Sequence, residues 1–172
     1  PDRDLQRGRP EVVRVSATGQ RMVAGDQHLC RPVRGYVRRV TVAPETPQFR
    51  ADRSQVEQVL LNLILNAADA MREGGILRLN AAAEFLDDVP CVMLTIRDNG
   101  HGMSEHQVEH LFAPFLTHKQ KGTGIGLAMV LKIVENHQGK VQVESKVGRG
   151  TTFRVYFPAE SQPLSLIPPA KP

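Results

Sequence analysis

The sequence lacks any uninterrupted apolar run of about eighteen residues, so it predicts no membrane-spanning helix. It has only two cysteines, Cys30 and Cys91, which argues against a disulfide framework and is typical of a reducing compartment. It also lacks a strong excess of one charge, because 22 basic and 18 acidic side chains leave a net charge of +4. That charge is small and weakly clustered, so no nucleic-acid partner is predicted.

The 172 residues suffice for one domain of ordinary size. They begin at Pro1 without a methionine or a signal peptide, so we expect a piece of a longer protein. Composition separates a polar lead-in segment, residues 1–33, from a patterned block, residues 34–158, and from a proline-rich tail, residues 159–172, which is predicted to be disordered. An interrupted helix is predicted in the lead-in segment, with one side formed by Val12, Val13, Val15, Met22, Val23 and Leu29.

Hydrophobic periodicity in the patterned block alternates between strands and helices. The predicted elements are a strand 36–42, a helix from its cap at Asp52 or Ser54 to residue 71, strands 76–82 and 91–97, a short helix 104–111, a helix 124–136, and strands 140–147 and 151–157. A turn is predicted around residues 87–90, and Gly139 is predicted to end the last helix. This order predicts an α/β sandwich, in which one mixed sheet is covered on one face by helices.

Three polar side chains share one face of the predicted long helix: Asn62, Asn66 and Asp69. The face borders the apolar stripe, where an amide is costly to bury without a hydrogen-bond partner. Two interpretations are open. The amides bond to neighbouring backbone, or their oxygens bind a hard cation such as Mg²⁺ that also shares phosphate oxygens.

Two glycine-punctuated segments follow. Asp98 comes directly after a strand that is predicted to be fully buried, and Gly100 and Gly102 after it allow a ligand to approach the backbone. Its carboxylate can accept a hydrogen bond from an exocyclic amine, although an Asn-Gly turn without function has the same pattern. Residues 122–127 open a helix with three glycines, which suits either phosphate binding or a plain helix entry. This segment is neither a Walker loop nor a dinucleotide-binding turn.

In their order along the chain, these segments resemble the motifs of histidine kinase ATP-binding domains. The motifs are Asn62-Leu63-x-x-Asn66-Ala67, similar to the N box, Asp98-x-Gly100-x-Gly102, similar to the G1 box, Phe112-Ala113-Pro114-Phe115, similar to the F box, Gly122-x-Gly124-x-Gly126-Leu127, similar to the G2 box, and Gly148-x-Gly150-Thr151-x-Phe153, similar to the closing glycine–threonine motif. The resemblance covers residues 34–158. The short segment after Phe115 is most similar to the nitrogen-regulation subgroup.

The resemblance implies the Bergerat α/β sandwich, which gyrase-type ATPases and the ninety-kilodalton heat-shock chaperones share, with ATP and Mg²⁺ as cofactors. It implies that Asp98 binds the adenine amino group, with Thr151 nearby, and that Asn66, with Asn62 as a second residue, holds Mg²⁺ and forms the catalytic pair. The implied ATP-binding residues are Asn66, Asp69, Asp98, Gly100, Gly102, Phe115, Lys119, Lys121, Gly122, Thr123, Gly124, Ile125, Gly126, Leu127 and Thr151. The residues between Phe115 and Gly122 are implied to form a lid.

The implied activity is transfer of the γ-phosphoryl group of Mg-ATP to a histidine in two-component signal transduction. In gyrase-like relatives a glutamate four residues before the magnesium asparagine activates water. Asn62 stands at that position and cannot act as a base, so phosphotransfer rather than hydrolysis is expected. Asp69 stands where many relatives carry a basic residue, so Arg72 or Lys119 is expected to offset phosphate charge.

None of the six histidines lies in a His-Glu/Asp-Leu-x-x-Pro phosphoacceptor motif. The expected partners are therefore the dimerisation and phosphoacceptor domain of a parent kinase and the receiver domain of a response regulator. We expect the isolated domain to be a monomer and the parent kinase a homodimer. The expected location is the cytoplasm, with membrane attachment of the parent left open.

Two other functions compete with this interpretation. His106, Glu109 and His110 match the His-x-x-Glu-His order of inverted zinc peptidases, in which two histidines bind zinc and the glutamate is the base. The same residues are also compatible with a solvated helix face. The second alternative is an anti-sigma-type kinase or a degenerate domain that binds nucleotide only to regulate a partner.

Overall fold

The computed structural model describes residues 11–13, 36–113 and 125–160, with the side chains of residues 40–113 and 125–160. Its elements are β1 (Glu11–Val13), β2 (Tyr36–Val42), β3 (Phe49–Ala51), α1 (Arg53–Ala70), β4 (Gly75–Leu86), β5 (Val89–Arg97), α2 (Glu105–Glu109), α3 (Gly126–Asn136), β6 (Lys140–Lys146) and β7 (Gly150–Pro158). No helix in these ranges is long and apolar enough to cross a membrane.

Five of the strands form one mixed sheet in the order β2-β4-β5-β7-β6. Strands β2 and β4 are parallel, and the other neighbours are antiparallel. A smaller antiparallel pair joins β1 to β3, and Phe49 of β3 also bridges to Ala159, just after β7. The predicted mixed sheet is therefore confirmed.

The described helices pack on one face of this sheet, as predicted. Side chains alternate along a strand, so every second residue of β4, β5 and β7 enters the shared core with α1 and α3. The expectation of a fully buried strand before Asp98 is wrong, because β5 buries Val92, Leu94 and Ile96 on the helix side and leaves Met93 and Thr95 half-buried on the other.

The hairpin between β4 and β5 is longer and its turn tighter than predicted. The turn consists of Asp87 and Asp88 alone, both in the left-handed region with φ values of 51° and 63°. Two consecutive left-handed residues favour a two-residue hairpin turn that matches the strand twist. Val89 and Pro90, which the sequence assigned to the turn, therefore lie in β5.

The predicted helix starts are largely correct, whereas two ends differ. Asp52 caps α1, and Ser104 and Gln107 form the predicted capping box of α2, which ends at Glu109 rather than residue 111. At the end of α3 the left-handed residue is Gln138, with φ 57°, and not Gly139. A Cβ at position 139 would lie 2.2 Å from the Tyr156 carbonyl oxygen, so glycine is needed there for close strand packing.

The helix predicted around Val12 and Val13 is wrong at these residues, which pair as β1 with β3. The edge of β3 supplies backbone hydrogen-bond partners for these residues, and the local sequence of the lead-in segment does not reveal them. The later apolar residues assigned to that helix, and residues 161–172 of the predicted tail, lie outside the described residues.

Candidate functional site

The loop after β5 is held against the start of β7 through Asp98, whose relative exposure is 4%. Its Oδ1 accepts hydrogen bonds from the backbone N–H of Gly100 at 2.8 Å and of Thr151 at 3.2 Å. Its own N–H donates to the Thr151 carbonyl at 2.9 Å. Gly150 makes this contact possible, since a Cβ there would lie 2.2 Å from the Asp98 carbonyl oxygen.

The Asp98 carboxylate is buried without full compensation. Burial raises its pKa, while the two backbone N–H groups and the nearby His101 imidazole act in the opposite direction. No described residue donates a hydrogen bond to its second oxygen, Oδ2. One oxygen is thus fixed by the fold and the other is left for a donor from outside the described protein.

Ser145 connects Thr151 to the loop that follows Asp98. The Ser145 and Thr151 hydroxyl oxygens are 2.9 Å apart, and the Met103 N–H donates to Ser145 at 2.8 Å. No motif contains Ser145, so the sequence reading missed it. The available signal was the alternation of β6, which directs Val141, Val143 and Ser145 to the helix side.

The same loop contacts the end of α1. The His101 N–H donates to the Ala70 carbonyl at 3.1 Å, and a Cβ at Gly100 would lie 2.5 Å from that oxygen. Asn99, a second residue that the sequence reading missed, accepts the Ile76 N–H at 2.7 Å through Oδ1. These contacts hold the loop that follows β5 between the end of α1 and the start of β4.

The polar face of α1 meets the start of α3. A Cβ at Gly126 would lie 3.2 Å from Asn62 Oδ1, so the two helices approach closely at these residues. The Asn62 Nδ2 atom is buried and has no hydrogen-bond partner among the described residues. For this donor, the interpretation as a backbone-bonded amide is not supported. Asn66 is half-buried and Asp69 is exposed on the same face.

The first turn of α3 has no side-chain cap among the described residues. Ile125 occupies the N-cap position, and no described side chain bonds to the amides that follow it. The first intrahelical bond runs from the Met129 N–H to the Ile125 carbonyl at 2.9 Å. The N–H groups of Gly126 and Leu127 have no partner within the helix, which makes this end suitable for an anion.

The structure thus brings Asp98, Gly100, Gly102 and Thr151 together in one cluster, and Asn62 and Gly126 in a second that α1 connects to the first. Asn66 and Asp69 lie on the same helix as Asn62, and Ile125 and Leu127 flank Gly126. The other predicted residues, Phe115, Lys119, Lys121, Gly122, Thr123 and Gly124, lie outside the described residues, so their roles stay predictions.

The zinc-peptidase alternative has little support in the described residues. The His106 and His110 rings lie 4.6 Å apart at a tilt of 31°, and His110 Nδ1 is 2.9 Å from the His106 carbonyl oxygen. Glu109 is exposed, and no group of three or more possible metal ligands exists in the described part of the chain. The short helix α2 is a solvated surface helix here.

Residues 51–161 match the family described as histidine kinase-, DNA gyrase B- and HSP90-like ATPase. The chain belongs to this family. Sensor histidine kinase ZraS of Escherichia coli (strain K12) is 38% identical over 120 residues, which are 70% of this chain and 25% of that protein. Sporulation kinase A of Bacillus subtilis (strain 168) is 37% identical over 120 residues, again 70% of this chain and 19% of that protein.

Solved structures agree with the family assignment. The catalytic domain of histidine kinase ThkA is 30% identical with a TM-score of 0.63, over 72% of this chain and 79% of that one. Full-length ShkA in complex with AMPPNP is 29% identical with a TM-score of 0.63, over 76% of this chain and 27% of that one. The predicted fold and ATP-binding family are confirmed, and this chain spans a quarter or less of the two curated relatives.

Proposed function

We propose that this domain binds ATP with Mg²⁺ and transfers the γ-phosphoryl group to a histidine on a dimerisation and phosphoacceptor domain. The observation that carries the proposal is the buried Asp98 carboxylate, which has one oxygen held by backbone N–H groups and the other without a donor among the described residues. Such an oxygen can accept a hydrogen bond from the adenine amino group. That bond would also offset the burial that raises the pKa of Asp98.

The α1 face supports a role in holding the phosphates. Mg²⁺ prefers oxygen ligands and keeps several waters, so the amide oxygens of Asn66 and Asn62, with phosphate oxygens, fit its requirements. Asn62 Nδ2, which has no partner among the described residues, is a hydrogen-bond donor and fits a phosphate oxygen. The bound ion would neutralise phosphate charge. The open N–H groups at Gly126 and Leu127 would add two further donors at the start of α3.

The chain's contribution to the transfer is positioning and charge complementarity. An amide at Asn62 cannot take a proton from water, so this site contains no base at that position for hydrolysis. The attacking imidazole would come from the phosphoacceptor domain. We further propose that Lys119 and Lys121, in the lid before Gly122, meet the phosphates, together with Thr123 and Gly124.

The biological setting is proposed on the strength of the relatives, which by name are a sensor histidine kinase and a sporulation kinase. The partners are the phosphoacceptor domain of a homodimeric parent and a response regulator receiver domain, in the cytoplasm, with the nitrogen-regulation subgroup as the nearest branch. The proposed catalytic domain is residues 34–158. The pairing of β1 with β3, and the Glu160 N–H bond to the Gln48 carbonyl at 2.7 Å, favour including residues 11–13 and 159–160 with it.

The test is calorimetric titration of the full chain with ATP, ADP and adenosine, with and without Mg²⁺. We expect Mg²⁺ to tighten ATP binding. Asn66→Ala should weaken ATP binding more than adenosine binding, and Asn80→Ala, on the helix-free side of the sheet, is the matched control. Equal ATP affinities with and without Mg²⁺ would overturn the metal role.

A second assay separates a kinase from a silent nucleotide-binding regulator. Labelled ATP and a separately purified helical phosphoacceptor domain are mixed with the chain, and label on histidine is measured. We expect label on the acceptor, sensitive to acid as a phosphohistidine is. Tight ATP binding without any label on several such acceptor domains would favour the regulator.

A further inference from the structure

Three polar side chains form one row across the end of the sheet, on the side that packs against the helices. Ser145 of β6 is directly opposite Thr151 of β7, and Thr151 is bonded to Asp98 at the end of β5. The Thr151 N–H and carbonyl are both directed to Asp98, so Ser145 and Thr151 form a non-hydrogen-bonded pair, in which side chains are closest. The row therefore holds the two hydroxyls in contact.

The Ser145 hydroxyl has three polar neighbours. Its oxygen accepts the Met103 N–H at 2.8 Å, and it lies 3.1 Å from the Gly150 carbonyl oxygen and 2.9 Å from the Thr151 hydroxyl oxygen. A hydroxyl group has one proton to donate and two lone pairs that accept. Ser145 can therefore donate to Gly150 or to Thr151, but not to both.

The two directions of the Ser145 proton differ in how many hydrogen bonds they allow. When Ser145 donates to the Gly150 carbonyl, the Thr151 hydroxyl donates to Ser145, and all three contacts are hydrogen bonds. When Ser145 donates to Thr151, the bond to Gly150 is lost and the Thr151 proton has no acceptor among the described residues. Thr151 is buried, and a buried donor without a partner is destabilising. The first arrangement is therefore favoured.

The favoured arrangement makes Thr151 an acceptor towards a ligand. Its proton is directed to Ser145, and no described residue donates to its lone pairs. Asp98 Oδ2, on the neighbouring strand, also has no donor among the described residues. Two neighbouring acceptors match a ligand group that carries two N–H donors, and they repel a carbonyl oxygen in the same place.

We propose that Ser145 is a positioning residue for base selection. By accepting the Thr151 proton, it keeps Thr151 an acceptor beside Asp98, so the site binds a purine with a 6-amino group and rejects one with a 6-carbonyl group. A hydroxyl that rotates freely accepts from an amine or donates to a carbonyl, and it distinguishes neither. This inference rests on the proposed binding of ATP, and it assigns part of the base selectivity to a residue that acts through Thr151.

The experiment is calorimetric titration of the full chain with ATP and with ITP, in which a carbonyl replaces the 6-amino group and N1 carries a proton. We expect the wild-type chain to prefer ATP. Ser145→Ala should lower the ratio of ATP affinity to ITP affinity about tenfold, the size of one hydrogen bond to a ligand. The change should come mainly from tighter binding of ITP, because the Thr151 hydroxyl can then donate to its carbonyl. Ser145→Thr keeps the hydroxyl and should restore the wild-type ratio.

A double-mutant cycle tests whether Ser145 acts through Thr151. Thr151→Val removes the hydroxyl and should itself lower the ratio of ATP affinity to ITP affinity. In that background Ser145→Ala should change the ratio no further, so the two effects are not additive. The matched control is Thr152→Val, on the same strand with its side chain on the opposite face of the sheet, which should keep the wild-type ratio.

Circular dichroism verifies that each variant is folded, and Ser145→Cys, with a weaker acceptor of similar size, replaces Ser145→Ala if the latter does not fold. A purely structural role of Ser145 would weaken both nucleotides alike. An unchanged ratio in these variants, or a further change of the ratio in the Thr151→Val background, would therefore overturn this inference and leave ATP binding intact. If the wild-type chain binds neither nucleotide, the proposed function and this inference are both overturned.

Discussion

Two buried aspartates, Asp52 and Asp98, stand at the same local position and have opposite electrostatic properties. Each directly follows a strand, β3 or β5, and their relative exposures are 9% and 4%. Asp52 accepts hydrogen bonds from the Ser54 hydroxyl at 2.7 Å, from the Ser54 and Gln55 N–H groups, and from the Gln55 amide at 3.1 Å. Asp98 accepts two, both on Oδ1.

The pKa values follow from these partners. The Ser54 hydroxyl, with the other donors, lowers the pKa of Asp52 in spite of burial, whereas burial dominates at Asp98 and raises its pKa. The comparison shows that two carboxylates of similar burial can have pKa shifts of opposite direction. What distinguishes them is whether the fold itself supplies donors to both oxygens.

The largest expected effect is on binding through Asp98. In the proposed complex, Asp98→Asn would replace a charge-assisted hydrogen bond to the adenine amine with a neutral one. The charge-assisted bond is worth about 1.5–3 kcal/mol, so ATP affinity should fall roughly 10- to 150-fold. Discrimination against GTP should fall with it. Calorimetry measures both, and Asp88→Asn at the exposed turn is the matched control. Wild-type affinity and selectivity in Asp98→Asn would show that Asp98 does not read the base.

The next effect is on stability through Asp52. Asp52→Ala leaves the Ser54 and Gln55 N–H groups without their cap, which should cost about 1 kcal/mol of unfolding free energy. For a domain of this size the melting temperature should fall by about 2–4 °C. ATP affinity should stay unchanged, and urea unfolding gives the free energy. If Asp98→Asn lowers stability as much as Asp52→Ala does, the distinction between the two carboxylates fails.

The smallest effect concerns pH. The pKa of Asp52 is lower in the folded state, so its charge stabilises the fold above about pH 4, and this contribution is lost as the pH falls through the folded value. The pKa of Asp98 is higher in the folded state, so its ionisation opposes folding as the pH rises above about 4. Unfolding free energies of wild type, Asp52→Asn and Asp98→Asn are measured from pH 3 to 7.

The expected difference curves have opposite signs. With rising pH, Asp98→Asn should gain stability relative to wild type, and Asp52→Asn should lose it. Ser54→Ala, which removes the largest cause of the lowered Asp52 pKa, should reduce the second trend and leave the first unchanged. Parallel curves for the two asparagine variants would contradict the opposite pKa shifts.

The two aspartates also show which contacts in the structure could be predicted from the sequence. The cap at Asp52 depends on partners two and three residues away, so a local pattern was sufficient to predict it. The same holds for the capping box at Ser104 and Gln107. The donors to Asp98 include Thr151, which is distant in sequence, and only the resemblance to a known family linked the two residues.

The wrong predictions depend on distant contacts in the same way. The pairing of Val12 and Val13 is decided by the free edge of β3, and the Ser145 contacts with Thr151 and Met103 exist only when β6 and β7 are assembled. The lack of a described partner for Asn62 Nδ2 could not be predicted either, because it depends on how closely Gly126 approaches α1. Periodicity reports which face of an element is buried, but not which atoms lack partners.

The position of β7 in the sheet has a consequence for synthesis of the protein on the ribosome. This strand lies between β5 and β6, and it carries the Thr151 N–H that bonds to Asp98. Strands β4 and β5 leave the ribosome about fifty residues before β7. The chain is synthesised at about 5–20 residues per second, so several seconds pass before β7 can pair with β5. During that interval the edge of β5 is open and the Asp98 carboxylate lacks the Thr151 N–H, one of its two donors among the described residues. A nascent chain should therefore gain affinity for ATP only when residue 158 has emerged, as the closing step of folding.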